Sequence, residues 1–242
     1  FGIYIEMIQK IVHNRIYLNA NHYYFNKENF TMKCAIILAG GKGTRMKSAS
    51  PKVMCEVLFQ PMLHYVIRAV KEAGCEKICV VTGYKHEIVE AYLDEEIETA
   101  YQNPQLGTGH AVMMAKAFVE KHKNDEILIL NGDGPMMNAE TINNVYEYHM
   151  ANNNSITLTS ALVDDTNGIG HIKRDENGTL LRIVEHKDAN EEEKLINESN
   201  AGMYWFNGED LLYALDNITN NNAQNEYYLT DSLEILINQG KN

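Results

Sequence analysis

Cys34-Ala35-Ile36-Ile37-Leu38-Ala39-Gly40-Gly41-Lys42-Gly43-Thr44-Arg45-Met46 is the stretch on which the fold turns. Its first six residues are wholly apolar and stop at a glycine pair, the mark of a short strand covered on both faces. Ile78–Thr82 (ICVVT) and Glu126–Leu130 (EILIL) have the same character, and Ile156–Leu162 reads as a further strand. Helical patterns alternate with them: Met62 to Ala73 stopped by Gly74, Glu87 to Leu93, Thr108 or Gly109 to Lys121, and Glu140 to Met150. Repeated strand–helix–strand order predicts an α/β, Rossmann-like fold with a mainly parallel central sheet and helices on both faces. Beyond Gly168 short strands are expected around Ile172, Leu180–Glu185 and Gly202–Phe206, a smaller β-rich part, followed by a helix at Asp231–Ile237. Open parallel sheets bind ligands beyond the carboxyl ends of their strands, which directs attention to Gly40, Thr82 and Asn131.

The chain of 242 residues is 45% hydrophobic, which excludes disorder throughout. It carries 21 Lys and Arg against 33 Asp and Glu, a net charge of −12. Wrapping a nucleic-acid backbone needs a basic face, so no nucleic-acid partner is expected. No membrane is expected either, because no stretch approaches the roughly 18 uncharged apolar residues of a span. Cys34, Cys55, Cys75 and Cys79 form no C-x-x-C pairing and are too sparse for a disulfide scaffold, so they read as reduced, mostly buried thiols of a cytoplasmic protein.

Residues 1–31 do not match the rest. They lack an initiating Met, and Glu6, Lys10, His13 and Arg15 interrupt the apolar positions, which excludes a secretory signal. Ile5, Ile8, Ile11, Val12 and Ile16 have the spacing of one amphipathic helix, but the expectation is a poorly ordered tail or an upstream extension, with the functional domain at 32–242.

The loop after the first strand is the strongest chemical signal. Three glycines let the backbone turn sharply and aim N–H groups at an anion. Met46 stands where a third dinucleotide-binding glycine would fall, and no Walker spacing exists. Lys42, Arg45, Lys47 and Lys52 lie together with no acid among them, in a chain that is otherwise strongly acidic. A polyphosphate fits, with Arg45 able to grip two oxygens and Lys52 acting as a compact charge; a solvated basic loop is the alternative. Asp133 ends an apolar run, where its carboxylate suits Mg²⁺ facing phosphates or serves as a turn residue. Gln102 and Gln105 offer donor and acceptor side by side, as an imide edge requires.

Leu38 to Arg45 followed by Pro51-Lys52 resembles the signature of the sugar-phosphate nucleotidyltransferases. Gln102–Ala111, Asn131-Gly132-Asp133-Gly134-Pro135, Glu185-His186-Lys187-Asp188-Ala189 and Asn220–Asp231 follow in the same order. Together they resemble the uridyltransferase domain family of bacterial bifunctional N-acetylglucosamine-1-phosphate uridyltransferases over Met32 to Asn242. The resemblance implies a nucleotide-diphospho-sugar transferase fold with Mg²⁺ on Asp133, and Arg45, Lys52 and Asp133 as the catalytic set. It implies nucleotide contacts from Leu38, Gly40, Gly41, Gly43, Thr44, Lys52, Gln102, Gln105, Gly107 and Thr108. Sugar contacts are implied for Gly170, Glu185, Asn200, Tyr228 and Thr230. His110 is expected as a packing or capping residue, and Thr108 as a helix cap. The sequence departs from the family pattern at Gly134, where a bulkier residue is usual. Ile169 and His171 also replace an aromatic and an Arg beside Gly170, and Ala201 replaces the usual Thr after Asn200.

The expected reaction is transfer of a uridylyl group from UTP to N-acetylglucosamine 1-phosphate with release of pyrophosphate. A phosphate monoester has a second pKa of about 6, so the attacking oxygen is largely ionised at neutral pH and needs no general base. Two other readings stay open: another sugar or polyol phosphate as acceptor, or a non-catalytic binder of nucleotide sugars. The family's second metal ligand, an Asn in a Gly-Val-Asn segment, has no counterpart before Asn242, so truncation at the C-terminus is expected; oligomeric state is left open.

Overall fold

A computed structural model describes residues 31–43 and 50–242; Thr44, Arg45 and Lys47, and all of 1–30, lie outside the described residues. Strand β1 (Lys33–Leu38) runs between β4 (Lys77–Thr82) and β6 (Glu126–Asn131) and is parallel to both. Its unbroken apolar run belongs there, because Cys34, Ala35, Ile36 and Ile37 are all fully buried. Strand β5 (Glu98–Tyr101) completes the parallel half beside β4.

Across β6 the sheet changes character. The long strand β10 (Glu198–Asn207) pairs antiparallel with β6, and antiparallel with both β7 (Ile156–Leu162) and β8 (His171–Arg174). Strand β9 (Leu180–Val184) adds antiparallel to β8, giving eight strands in the order β5-β4-β1-β6-β10-β8-β9, with β7 on β10. The expected α/β sheet is present, and it is mixed. Ile156–Leu162, read as a member of the parallel run, does not lie beside β6, because β10 takes that place. A small hairpin, β2 (Glu56–Val57) and β3 (Gln60–Pro61), stands apart.

Helices cover both faces, and the period-two alternation of the strands divides the core between them. Ala35, Ile37, Leu128 and Trp205 pack with α1 (Met62–Glu72), α2 (His86–Glu90) and α5 (Ala139–Ala151) through Leu63, Val66, Val89 and Ile142. Cys34, Ile36, Ile127 and Phe206 pack the other way. Their partners there are Val112 of α3 (Thr108–Met114), Phe118 of α4 (Lys116–Lys121), Leu211 of α6 (Gly208–Asn217) and Leu236 of α7 (Asp231–Asn238).

Several elements differ from expectation. The helix expected from 108 to 121 is two helices, broken where Ala115 N–H donates to the Val112 carbonyl at 2.9 Å, one residue short of the helical partner. The helix expected to reach Leu93 stops at Glu90. Strand β5, the hairpin and α6 were not expected. Helix α6 follows β10 directly, with Asn207 Oδ1 capping it by accepting from Glu209 N (3.2 Å) and Asp210 N (3.3 Å). Among the described residues no helix is long and apolar enough to cross a membrane. All four cysteines are free thiols, three of them buried and Cys55 half-buried.

Candidate active site

The carboxyl ends of β1 and β4 approach more closely than side chains permit. A Cβ on Gly83 would sit 2.6 Å from the Gly40 carbonyl, and one on Gly40 would sit 2.9 Å from Gln102 Oε1. That carbonyl accepts from Tyr84 N (3.0 Å) and from Gln105 Nε2 (2.7 Å), so the Gly-rich loop is braced from two sides. Gly43 has φ +61°, and a Cβ there would lie 2.6 Å from Lys52 Cβ. The glycine thus makes room for Lys52, which opens the short turn Lys52–Met54 anchored by buried Val53. Asp133 follows β6 by two residues, and the Lys52 ammonium forms an ion pair with its Oδ2.

The 102–110 segment forms the next wall. Gln102 is 5% exposed; its Nε2 donates to the Gly107 carbonyl (2.9 Å) and lies 3.2 Å from His110 Nδ1. Burial pushes His110 down from the usual imidazole range, so the neutral ring offers Nδ1 as the acceptor. Both glutamine amide nitrogens are therefore committed to backbone carbonyls, which fixes their orientation and turns each side-chain oxygen away as an acceptor. Gly107, at φ +103°, is the residue that caps α3. The expected cap, Thr108, is the first helical residue, and its Oγ1 accepts instead from Leu229 N at 3.1 Å. Gly109 N donates to Tyr227 O and Tyr227 N to Leu106 O, each at 2.8 Å, lacing this wall to the 226–229 segment.

These walls enclose a cleft of about 560 Å³. Of the expected residues, Leu38, Gly40, Gly41, Gly43, Lys52, Gln102, Gln105, Gly107, Thr108, Asp133, Glu185 and Tyr228 line it. Asn131, marked in the sequence as a strand end, lines it too, as do Val53, Ala111, Gln224 and Glu226, which no sequence signal had singled out as site residues. Gly170, Asn200 and Thr230 stand outside the cleft lining and support it from behind. Thr230 Oγ1 donates to Glu185 Oε1 at 3.0 Å. The Gly170 carbonyl accepts from Asn200 N at 2.9 Å, and a Cβ on Gly170 would come within 3.6 Å of Glu185 Oε1.

The two ends of the cleft differ in charge. At the end below the Gly-rich loop the Lys52 ammonium is paired with Asp133, and exposed Lys42 stands beside them in the loop. The far end is acidic, and two of its carboxyl groups are shifted above their ordinary range. Burial, with Asp188 and Glu226 adding to it, raises Glu185 above the usual carboxylate range against the pull of the Thr230 hydrogen bond and His171. Burial and then Glu185, Glu234 and Asp188 raise Asp231 to about 6, with Arg182 opposing. Asp188 braces this end: its carboxylate accepts from Tyr228 OH (3.1 Å) and from Ala223 N (2.8 Å), while Gln224 Nε2 donates to Tyr228 OH (2.7 Å). A lysine beside a Gly-rich turn suits phosphates, and carboxylate, amide and hydroxyl groups beyond it suit a polyhydroxylated acceptor. The Asp133 carboxylate, with the Asn131 amide two residues before it on the same cleft, is a hard oxygen donor set of the kind a divalent cation takes alongside substrate phosphates.

Residues 34–242 match the family described as Nucleotidyl transferase. The chain is 48% identical over 206 residues to bifunctional protein GlmU of Caldanaerobacter subterraneus subsp. tengcongensis, a match covering 85% of this chain and 45% of that protein. It is 47% identical over 206 residues to bifunctional protein GlmU of Clostridioides difficile, with 85% and 44% covered. The chain thus spans somewhat under half the length of these curated relatives. Its fold is similar to that of a UDP-glucose pyrophosphorylase solved with UDP-glucose, at a TM-score of 0.71 and 20% identity, covering 88% of this chain and 89% of that one. The match runs through the Gly-rich loop, Lys52 and Asp133 alike, and the chain belongs to the nucleotidyl transferase family.

Proposed function

We propose that this chain transfers a uridylyl group from UTP to N-acetylglucosamine 1-phosphate, releasing pyrophosphate, in the cytoplasm. The observation that carries the reading is the Lys52–Asp133 pair at the mouth of a cleft whose inner walls are the two glutamines and the Glu185–Tyr228 end. One oxygen of the sugar phosphate attacks the α-phosphorus of UTP, a P–O bond forms, and the bond to the β-phosphate breaks as pyrophosphate leaves. The attacking oxygen is already ionised, so the chain's work is alignment and charge neutralisation.

Backbone N–H groups of Gly40, Gly41 and Gly43 and the Lys52 ammonium face the triphosphate, joined by Thr44 and Arg45 on the sequence reading. Asp133 would hold Mg²⁺, which when bound screens the phosphate oxygens and withdraws charge from the leaving group. With both glutamine Nε2 atoms held by backbone carbonyls, Gln102 and Gln105 present acceptor oxygens, which match the N3–H of uracil and oppose the bare N3 of cytosine. Glu185 and Tyr228 take the sugar, and Gly170, Asn200 and Thr230 hold that wall. Pyrophosphate release measured with UTP and each other nucleotide, across several sugar 1-phosphates, with and without Mg²⁺, tests the reading. Turnover dependent on UTP, N-acetylglucosamine 1-phosphate and Mg²⁺ is expected. Binding of nucleotide sugar without pyrophosphate release would overturn it in favour of a non-catalytic binder, and preference for another acceptor would relocate it within the family.

A further inference from the structure

At the opposite end of the sheet from the cleft, three side chains of metal-binding type converge. Cys34 is the second residue of β1, Asp125 immediately precedes β6, and His122 ends α4. A sulfur, a ring nitrogen and a carboxylate oxygen from the three lie within 4.8 Å of one another. Asp125 Oδ1 is held by Met32 N at 3.0 Å, while Oδ2 accepts from His122 Nδ1 at 3.0 Å and lies 3.9 Å from Cys34 Sγ. Cys34 is fully buried and His122 is 4% exposed, and His122 Nε2 is buried with no hydrogen-bond partner among the described residues. The nitrogen facing the Asp125 carboxylate is Nδ1, so an ion at this trio would replace the Nδ1–H···Oδ2 contact and leave the ring proton on Nε2.

We propose that Cys34, His122 and Asp125 bind a thiophilic divalent cation of the zinc class, at a site separate from the nucleotide cleft. One sulfur, one imidazole and one carboxylate are the ligand types zinc takes, whereas a magnesium site is built from oxygen alone. Bonds of about 2.0–2.3 Å in a tetrahedral arrangement bring such donors to roughly 3.5 Å from one another. The trio is thus within small side-chain adjustments of closing on an ion, with water in the fourth position. Charge closes as well: the thiol proton leaves to solvent, the imidazole binds neutral, and thiolate plus carboxylate balance the ion. Because the thiol must lose its proton to coordinate, binding releases one proton and strengthens as pH rises. The ion would pin the turn between α4 and β6 to the start of β1.

Cobalt(II) added to the full chain after chelator treatment tests this. The expected result is a thiolate-to-cobalt charge-transfer band in the near ultraviolet that saturates at one equivalent and is bleached by zinc. Cys34→Ala should abolish it. Asp133→Asn should retain it, because no cysteine lines the cleft. His122→Gln should weaken the apparent affinity at least about tenfold, and it carries the same test should Cys34→Ala lose its fold. Zinc should also raise the melting temperature of the unsubstituted chain and leave that of Cys34→Ala unmoved. No thiolate band, or a band that survives Cys34→Ala in a folded protein, would overturn the assignment and leave the trio as a turn-holding contact.

Discussion

The Lys52 ammonium rests on the Asp133 carboxylate, so the cleft's proposed phosphate-binding cation and its proposed metal ligand neutralise each other before any ligand enters. They meet because Lys52 is admitted past Gly43 on one side while Asp133 leaves the end of β6 on the other. On the proposed function, an incoming triphosphate with its cation would offer each a new partner, and exchange of partners would prepare the site.

Lys52→Ala should therefore lower kcat and kcat/KM together by about ten- to a hundredfold, the equivalent of one charge-assisted contact of ~1.5–3 kcal/mol. Its side chain is 37% exposed, so the melting temperature should hardly move. Arg45→Ala should act in the same direction on the sequence reading. Pyrophosphate-release kinetics and thermal melting check both; a normal kcat in both variants would remove the phosphate-grip assignment.

Base choice follows from the orientation of the two glutamines. UTP should exceed CTP in kcat/KM by about tenfold or more, because a buried acceptor facing the bare N3 of cytosine is left unpaired. Gln105→Ala should narrow that ratio and raise KM for UTP, since it removes both the acceptor and the brace on the Gly40 carbonyl. Equal efficiency with the two nucleotides would show that the amides serve only the loop.

Gly83 gives a third expectation. It is not in the cleft lining, yet a Cβ there would collide with the Gly40 carbonyl and with Gln105 Nε2 at 2.8 Å. Gly83→Ala should displace the Gly-rich loop, raise KM for nucleotide severalfold, and cost about 1–3 kcal/mol of stability by overpacking. Denaturant titration and substrate-saturation curves read the two effects separately.

The acidic end predicts a pH dependence of stability. Asp231 is held near about 6, above its ordinary carboxyl value of 3.8, so between those values the folded protein keeps a proton that the unfolded chain has lost. Stability from this group is present at low pH and declines as pH rises through about 6. Asp231→Asn removes the penalty, so its melting temperature relative to the unsubstituted chain should improve steadily from pH 4 to pH 7 and level off above. A difference independent of pH would mean that Asp231 titrates normally.

Much of this was legible in the residues. CAIILA, ICVVT and EILIL announced themselves as strands because burial on both faces demands unbroken apolar side chains. ETAY of β5 did not: as an edge strand it pairs on one side only, and Glu98 and Tyr101 are exposed. Helix α6 was hidden because β10 runs into it without a turn, Asn207 serving as the last strand residue and the cap at once. In the site, glycines and clustered cations carry a spacing signal, so Gly40, Gly43 and Lys52 were found. Asn131 was found as a strand end, whereas Gln224 and Glu226 are single polar residues on an irregular segment, and only the closing of distant segments onto one another puts them in the cleft. The pairing partner of β6 was likewise a property of topology, which period-two patterning does not encode.

The place of β10 has a consequence for the chain as it is made. Strand β6, with its run of Ile127, Leu128, Ile129 and Leu130, has β1 on one side and β10 on the other, and β10 begins only at Glu198. Until that residue has emerged from the ribosome, the most apolar strand of the molecule is an open edge, offering unpaired N–H and C=O groups to any extended neighbour. Strand β7, synthesised long before β10, waits with it, since β10 is its partner too. The nascent protein is therefore most prone to aggregation during synthesis of the stretch between β6, which ends at Asn131, and β10, which begins at Glu198, when a chaperone that shields strand edges would protect it most.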